Sequence, residues 1–187
     1  DAEVHKDGFK YNLHFEKGQN IGGLQKEATN RKQTGSRQRW KPDLEVFTDI
    51  DIPVEFYENV LKRQAVVNPG LLFVFRNETE NGMETKEFIY EKGIVDYVAE
   101  LAGENALTSI QYWEDEQRGR DREDKDEYKV KLSVAFCFSN QINLAEYYHN
   151  SSHLEHGGSP EKAVKQAFVS QIDRYLKQGS KYLKGES

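Results

Sequence analysis

The alternation of apolar and polar residues from Val130 to Phe138 constrains the fold more than any other feature of the sequence. Every second position in this stretch is apolar, so these side chains share one face of an extended strand. A strand of this kind needs a paired neighbour and a cover for its apolar face. The same alternation runs from Phe9 to Phe15, directly after the turn signal Asp7-Gly8. These patterns predict antiparallel hairpins.

Helical periodicity separates the strand patterns. One helix is predicted to begin near Pro53, with Asn68-Pro69-Gly70 as its stop signal. A second is predicted over Ile94–Leu101 and ends at Gly103. A third is predicted to start with Ser159 as its cap and Pro160 in its first turn. Because strands and helices are mixed along the chain, the predicted fold class is α+β.

Four further stretches have local predictions. Lys17 to Lys32 is rich in glycine and lysine and is predicted to be a connection. Leu71 to Phe75 is a continuous apolar run, which predicts a buried strand, and Ser109 to Trp113 predicts another strand. Glu114 to Glu127 has mixed charge and no apolar side chain, which is typical of a solvated hairpin loop.

The charge is unevenly distributed. The net charge is −6, yet residues 1–41 carry +4 and residues 161–187 carry +3, so the middle of the chain carries −13. A basic patch can bind a polyanion even on an acidic protein. The single Cys137 excludes an internal disulfide, and no apolar run approaches the roughly 20 residues that span a membrane. We therefore expect a cytoplasmic protein without a membrane partner.

Complete catalytic or nucleotide-binding motifs are missing from the sequence. It contains neither Gly-x-x-x-x-Gly-Lys-Ser/Thr nor Gly-x-Gly-x-x-Gly. His149, His153 and His156 lie within eight residues, but their spacing is not that of a zinc site. No metal site is predicted, although a small metal-binding domain built on these histidines remains an alternative.

Lys165 lies inside the apolar arc of the third predicted helix. At about 100° per residue, the arc also contains Val164, Phe168, Val169, Ile172, Tyr175 and Leu176. A lysine at such a position can lay its stem over apolar neighbours and keep its ammonium in water. Alternatively, it can present its charge to an anion at the mouth of a groove.

Four motifs occur in the same order as in one known family. The stretch Thr34-Gly35-Ser36-Arg37-Gln38-Arg39-Trp40-Lys41-Pro42-Asp43-Leu44-Glu45-Val46-Phe47 is the first, and Phe88-Ile89-Tyr90-Glu91-Lys92-Gly93-Ile94 is the second. The others are Tyr148-His149-Asn150-Ser151-Ser152 and Gly157-Gly158-Ser159-Pro160. Together they resemble the B subunit of type IIA DNA topoisomerases.

The resemblance implies two domains. Residues 1–45 would be the last strands of the ATPase domain, and residues 46–187 would be the transducer domain. The transducer of this family has a mixed four-stranded sheet backed by helices. Its βαβ crossover is left-handed, and the fold is related to a ribosomal protein. Right-handed crossovers dominate in general, so only the resemblance predicts this handedness.

The resemblance also implies a function. In this family the transducer couples ATP-driven closure of a clamp to the passage of a DNA duplex. The expected partners are a DNA duplex, a second B subunit and an A subunit of the gyrase or topoisomerase IV type. ATP and magnesium are expected in the full enzyme. The catalytic residues lie outside the matched motifs, so this chain alone is expected to be inactive and to bind no cofactor.

Site residues follow from the motifs position by position. Gly35 and Ser36 match the nucleotide-binding stretch, and Asn150, Gly157 and Gly158 match structural positions. Lys165 matches a basic residue that lines the DNA cavity, and Arg174 and Lys177 extend that basic helix. Pro160 replaces the histidine of the family motif. The sequence leaves gyrase and topoisomerase IV equally open, and a nucleic-acid or protein-binding module of the same fold is the alternative.

Overall fold

The computed structural model describes residues 1–30, 32, 34–120 and 122–179. They form two compact units, one over Asp1–Pro53 and the other from Val54 onward. The domain boundary that the sequence predicts after residue 45 remains a prediction. Both units contain antiparallel strand pairs, and the second also contains three α-helices, in agreement with the predicted α+β class. Among the described residues, no helix is both long and apolar enough to span a membrane.

The first unit is a four-stranded antiparallel sheet. Its strands are β1 (Ala2–Lys6), β2 (Phe9–Glu16), β3 (Gln19–Ala28) and β4 (Gly35–Gln38). They lie in the order β3-β2-β1-β4. The predicted hairpin turn is confirmed, because Asp7 and Gly8 join β1 to β2 with φ values of 53° and 76°. Two successive left-handed residues match the twist of paired strands.

The prediction of a connection over Lys17–Lys32 is wrong, because β3 occupies most of that stretch. Lys17 and Gly18 form a second left-handed turn, with φ values of 48° and 80°, and lysine is not a residue that signals such a turn. The register of β3 also shifts opposite Asn12 and His14, where Gly22 and Gly23 adopt positive φ. This bulge interrupts the alternation that would have predicted the strand.

The two faces of this sheet differ in chemistry. Val4 lies opposite Tyr11, and Ala2 lies opposite Leu13, so these side chains share an apolar face. The other face is polar, and there Glu3 Oε1 pairs with His5 and Glu3 Oε2 pairs with Lys10, each at 3.1 Å. Such a sheet is built to be covered on one side only.

The helices of the second unit are close to those predicted. They are α1 (Val54–Val67), α2 (Ile94–Ala102) and α3 (Gly158–Gln178). The start of α1 after Pro53 and the end of α2 at Gly103 are confirmed. The prediction that Ser159 caps α3 is wrong, because the cap is Gly157 and it makes no side-chain cap bond. Ser159 is already inside the helix.

The core of the second unit lies where α1, α2 and the second sequence motif meet. Its buried members are Ala65, Val66 and Tyr90, and Val67, Phe73, Phe88, Ile94 and Tyr97 pack against them. We call these eight residues the α1 core. Gly93 closes it, with φ of 55°. A Cβ on Gly93 would lie 2.8 Å from Cγ of Pro69 and 2.9 Å from the Val66 carbonyl oxygen, so this position requires glycine.

The strands of the second unit form three hairpins. They are β5 (Phe73–Thr79) with β6 (Gly82–Phe88), β7 (Gln111–Gly119) with β8 (Tyr128–Phe136), and β9 (Tyr148–His149) with β10 (Ser152–His153). Glu80 and Asn81 form the turn between β5 and β6, and Gly82, with φ of 117°, pairs with Thr79. The prediction of a buried strand over Leu71–Phe75 is wrong at Leu71 and Leu72, which are about half exposed and precede β5; β5 itself begins at Phe73.

The prediction of a solvated hairpin loop over Glu114–Glu127 is wrong over residues 114–119, which belong to β7, whereas the described residues between Gly119 and Tyr128 do lie in the exposed connection to β8. The β7 carboxylates are paired across the ladder, Glu114 with Lys131 and Glu116 with Lys129, both at 2.7 Å. Cross-strand pairs of opposite charge are compatible with a strand. Because this part of β7 is mostly charged, its composition did not predict that it is one strand of an exposed two-stranded ribbon.

The predicted mixed four-stranded sheet of the second domain differs from what the structure shows. The four-stranded sheet belongs to the first unit, and the described strands of the second unit pair only as separate antiparallel hairpins. A left-handed βαβ crossover requires parallel strands in one sheet, so it remains a prediction.

Candidate functional site

Gly35 and Ser36, the predicted nucleotide-binding residues, lie on the edge strand of the first unit. Ser36 is opposite Val4 and Gly35 is opposite His5 in the register of β1 and β4. Ser36 therefore shares the apolar face of the sheet. A cavity with a volume of about 390 Å³ opens on that face, and its lining residues include Val4, Tyr11 and Leu24. Ser36 thus places a hydroxyl on the same face as an apolar wall.

Asn150 forms the turn of the short hairpin β9–β10. Its φ of 52° is left-handed, a conformation that asparagine tolerates better than most residues. The turn sets His149 opposite Ser152 and His153 opposite Tyr148. Asn150 thus has a conformational reason to be in the motif.

The three clustered histidines do not converge. His149 and His153 occupy neighbouring rungs of the hairpin, so their side chains leave opposite faces. The His153 ring instead packs edge-on against Tyr148, with ring centroids 5.3 Å apart. Within the described part of the chain, no group of three His, Cys, Asp or Glu residues is arranged to hold a metal ion.

Gly157 and Gly158 shape the start of α3. Their φ values are 68° and 71°, and Gly157 is buried. A Cβ on Gly157 would lie 2.7 Å from Cδ of Glu161 and would collide with its carboxylate. The missing side chain therefore lets Glu161 fold back over the first turn of the helix.

Lys165 is paired with that same glutamate. Its ammonium donates to Glu161 Oε1 at 2.6 Å, and 70% of its side chain is exposed. The hydrogen bond from Lys165 to Glu161 raises the pKa of the lysine. The structure therefore shows at this position an exposed ion pair between two residues that are one helical turn apart.

The other two basic residues lie on a different side of α3. Nine residues separate Lys165 from Arg174, which is about 180° around a helix, whereas Arg174 and Lys177 are about 60° apart. Lys177 pairs with Asp173 at 2.9 Å. Arg174 is exposed and makes no ion pair with any residue that the structure describes. One straight helix does not present all three predicted residues to one surface.

The predicted apolar stripe of α3 is only partly covered. Phe168 packs edge-on against Phe136 and Phe138, with ring centroids 5.1 and 6.4 Å apart. Ile172 and Tyr175 are 51% and 61% exposed. Contact with β8 therefore holds the first half of the helix, and the second half presents its stripe to solvent.

A polar cluster around α1 was missed by the sequence analysis. Three consecutive α1 residues interact with α2 and with residues of the β9–β10 hairpin. Lys62 donates to Glu100 of α2 at 2.6 Å, and Gln64 donates to the Ser151 carbonyl at 2.8 Å. Arg63 acts electrostatically on Tyr97 and Tyr148. The C-terminal half of α1 thus holds both α2 and the β9–β10 hairpin.

Two carboxylates connect the tyrosines of this cluster. Tyr90 donates to Glu100 at 2.6 Å and Tyr148 donates to Glu146 at 2.7 Å. Burial, together with the adjacent Glu146 carboxylate, raises the pKa of Tyr97 to about 12. Burial and the same carboxylate raise the pKa of Tyr148. These hydroxyls stay protonated at neutral pH and act as donors. No single motif marks the cluster, because its members lie on four separate segments, and only Tyr90, Tyr148 and Ser151 fall within motifs.

Comparison with known proteins gives a consistent result. The family model described as DNA gyrase B matches residues 93–187. The B subunit of DNA gyrase from Thermotoga maritima is 25% identical over 188 residues, which is 100% of this chain and 29% of that protein. The corresponding gyrase protein of Staphylococcus epidermidis is 30% identical over 178 residues, which is 94% of this chain and 26% of that protein.

Two further similarities extend the comparison. The B subunit of DNA topoisomerase 4 from Escherichia coli is 33% identical over 111 residues, which is 59% of this chain and 17% of that protein. The crystal structure of the 43K ATPase domain of Thermus thermophilus gyrase B, in complex with an aminocoumarin, matches with a TM-score of 0.68. That match has 24% identity and covers 100% of this chain and 48% of the other. The chain spans about a quarter of the length of its gyrase relatives.

Proposed function

We propose, from the premise that this chain belongs to the DNA gyrase B family, that it transmits ATP-driven clamp closure to DNA passage. The chain is part of the B subunit of a type IIA topoisomerase. In this proposal residues 46–187 form the transducer domain, with its left-handed crossover completed in the whole subunit. Residues 1–45 supply the last strands of the ATPase domain. The four-stranded sheet with one apolar face supports the second assignment.

The geometry at the start of α3 is the observation that carries the proposal. Asn150, Gly157 and Gly158, the structural positions of the resemblance, all have positive φ. Each of them therefore has a backbone reason to be Asn or Gly. Two of the four motifs that resemble the family thus lie in one local structure, a turn followed by a helix start.

The nucleotide and the partners follow from the same premise. ATP, with magnesium, binds in the complete ATPase domain, and Ser36 offers its hydroxyl on the apolar face of the sheet. A DNA duplex, a second B subunit and an A subunit of the gyrase or topoisomerase IV type are the macromolecular partners. ATP hydrolysis and DNA cleavage take place outside this chain.

The DNA-facing surface is assigned to the side of α3 that carries Arg174 and Lys177. Arg174 is the best phosphate ligand of the three basic candidates, because it is exposed and its guanidinium makes no ion pair with a residue that the structure describes. Lys165 contributes less, since Glu161 already neutralises it.

The test measures DNA held by the nucleotide-closed clamp of the full-length B subunit with its A subunit. Arg174→Glu is expected to release DNA at lower salt concentration. It is also expected to reduce the slope of log affinity against log salt concentration by about one unit, which is the contribution of one phosphate contact. Lys165→Glu is expected to have a smaller effect. Lys125→Glu, an exposed change in the β7–β8 loop, serves as the charge-matched control. Retention equal to wild type in both α3 variants would contradict the proposed DNA surface.

A further inference from the structure

The polar face of the sheet in the first unit carries two arginines next to each other. Arg37 lies opposite Glu3 in the register of β1 and β4. The Arg39 amide donates to the Asp1 carbonyl at 2.9 Å, so the pairing of β1 with β4 continues as far as Arg39. Alternate residues share one face, with Cα atoms about 7 Å apart, whereas Ser36 lies on the apolar face. The two arginines are therefore on the opposite side of the sheet from the predicted nucleotide-binding serine.

The carboxylates opposite these arginines already have other partners. Glu3 Oε1 pairs with His5 and Glu3 Oε2 pairs with Lys10, each at 3.1 Å. Asp1 Oδ1 lies 2.7 Å from His14 Nδ1. The cross-strand neighbours of both arginines are thus engaged by side chains of β1 and β2.

Both guanidinium groups are left without a partner. Among the residues that the structure describes, neither Arg37 nor Arg39 makes an ion pair or a side-chain hydrogen bond, and both are exposed. Two cations at neighbouring positions repel each other, and an anion bound between them removes that repulsion. The arrangement therefore favours an anion at this place.

The same side chains line a cavity. Its volume is about 380 Å³, and its lining includes Arg37, Arg39 and Lys10 on the cationic side and the carboxylates of Asp1 and Glu3 on the other. Three cations against two carboxylates give a positive lining, which attracts anions. Small ligands occupy sites of roughly 300–1,000 Å³, so this cavity suits a compact ligand.

The presence of two guanidinium groups favours one kind of anion. A carboxylate has two oxygens, which the fork of a single arginine already occupies. A phosphate group carries a charge of about −1.5 to −2 at pH 7 and has three acceptor oxygens, so it can accept from two forks at once. We propose that Arg37 and Arg39 bind the phosphate group of a small ligand on the polar face of the sheet. This site is separate from the surfaces of the proposed function and does not depend on it.

The experiment measures binding of inorganic pyrophosphate to the full-length B subunit by calorimetry. A non-hydrolysable ATP analogue is added first, so that the ATP site is filled and does not bind the probe. Arg37→Ala and Arg39→Ala each remove one charge-assisted contact and are each expected to weaken binding about tenfold. Lysine at either position keeps the charge but loses the fork, so it is expected to weaken binding less than alanine.

Two further variants sharpen the test. Arg118→Ala is the matched control, because Arg118 is an exposed arginine on β7, and it is expected to leave the affinity unchanged. Glu3→Gln removes a negative charge from the lining and frees Lys10, so it is expected to tighten binding about threefold. Weaker binding in Glu3→Gln would contradict the position of the site.

Three results would overturn the proposal. The first is pyrophosphate binding at millimolar concentration that is equal in the wild type and in both alanine variants. The second is equal affinity of the wild type for malonate, because two separate carboxylates would then satisfy the arginines as well as phosphate does. The third is a loss of affinity for a short DNA duplex in both alanine variants while pyrophosphate binding is unchanged, which would make this face a nucleic-acid contact.

Discussion

The hairpins β5–β6 and β7–β8 are both antiparallel pairs of similar length, yet only the first is built into a core. Phe73 and Phe88 pack against Ala65 and Val66, and Phe75 stacks on Tyr57 of α1 with ring centroids 6.0 Å apart. Lys86 also donates to Glu58 of α1 at 2.6 Å. One face of β5–β6 is therefore covered by a helix.

The β7–β8 hairpin, which we call the ribbon, is mostly exposed. Its apolar face carries Trp113, Val130 and Leu132, which are 51%, 46% and 45% exposed. Its base is packed, where Phe136 meets Phe168 of α3 and β8 contacts α2. Cross-strand ion pairs line the opposite face, and exposed ion pairs contribute little to stability.

The comparison shows that the alternation pattern reports a different property from burial. Alternation of apolar and polar residues is clear in β8 of the ribbon, whereas β5 begins within a continuous apolar run and yet belongs to the hairpin that a helix covers. Whether the apolar face is covered depends on a helix supplied from elsewhere in the chain. Local interactions should therefore dominate in the ribbon, and steric fit should dominate in the α1 core.

The largest expected effect tests steric fit at Gly93. Gly93→Ala should lower the free energy of opening of α1 by about 3–5 kcal/mol, because the new Cβ meets Pro69 and the Val66 carbonyl and the backbone disfavours L residues. Native-state hydrogen exchange at α1 amides measures this change.

Gly103→Ala is the matched control for that prediction. Gly103 has nearly the same backbone angles as Gly93, with φ 49° and ψ −131° against 55° and −123°. A Cβ at Gly103 meets nothing within 4 Å, so only the conformational cost of about 1–3 kcal/mol remains. Equal losses of opening free energy in Gly93→Ala and Gly103→Ala would show that backbone strain, and not the tight core, explains the glycine at position 93.

The next effect compares two valines. Val66→Ala should cost about 2 kcal/mol, because Val66 is fully buried and its loss leaves a cavity. Val130→Ala on the ribbon should cost less than about 0.5 kcal/mol. Exchange at α1 and at β8 amides measures the two losses. A cost at Val130 as large as that at Val66 would mean that the apolar face of the ribbon is covered in solution.

Sequence reasoning recovered the elements whose signals are local. Asp7-Gly8 specifies a turn by its own backbone preferences, and Asn68-Pro69-Gly70 ends α1 because proline removes a donor. It missed β3 because Lys17 occupies a left-handed position and Gly22-Gly23 breaks the alternation. It missed the distal part of β7 because paired charges resemble a loop when the partner strand is unknown.

The candidate site was predictable only where a motif carried it. Asn150, Gly157 and Gly158 could be found because their backbone angles require particular residues. The direction of the basic side chains on α3 follows from helix geometry, and the separation of Lys165 from Arg174 could have been computed from the sequence. The hydrogen bond from Gln64 to the Ser151 carbonyl could not be predicted, because it depends on the tertiary approach of α1 to the β9–β10 hairpin.

The smallest expected effect compares two carboxylates that each accept hydrogen bonds from a lysine and a tyrosine. Burial opposes the charge of Glu100, but the hydrogen bonds from Lys62 and Tyr90 outweigh it, so the pKa of Glu100 is lowered from 4.5. Its contribution to stability is therefore complete above pH 4.5 and is lost as the pH falls through the lowered value.

Glu100→Gln should accordingly destabilise α1 by about 0.5–1 kcal/mol at pH 7, since its half-exposed side chain is screened by solvent. The difference from wild type should shrink as the pH falls below 4.5, as measured by exchange at α1 amides corrected for intrinsic rates. On the ribbon, hydrogen bonds from Lys131 and Tyr112 lower the pKa of Glu114 as well. The Glu114 side chain is 41% exposed, but its ion pair lies on the ribbon rather than beside the α1 core, so Glu114→Gln should leave ribbon opening unchanged at moderate salt. A larger pH-dependent loss of opening free energy in Glu114→Gln than in Glu100→Gln would contradict this comparison. Charge pairs rather than packing would then stabilise the ribbon.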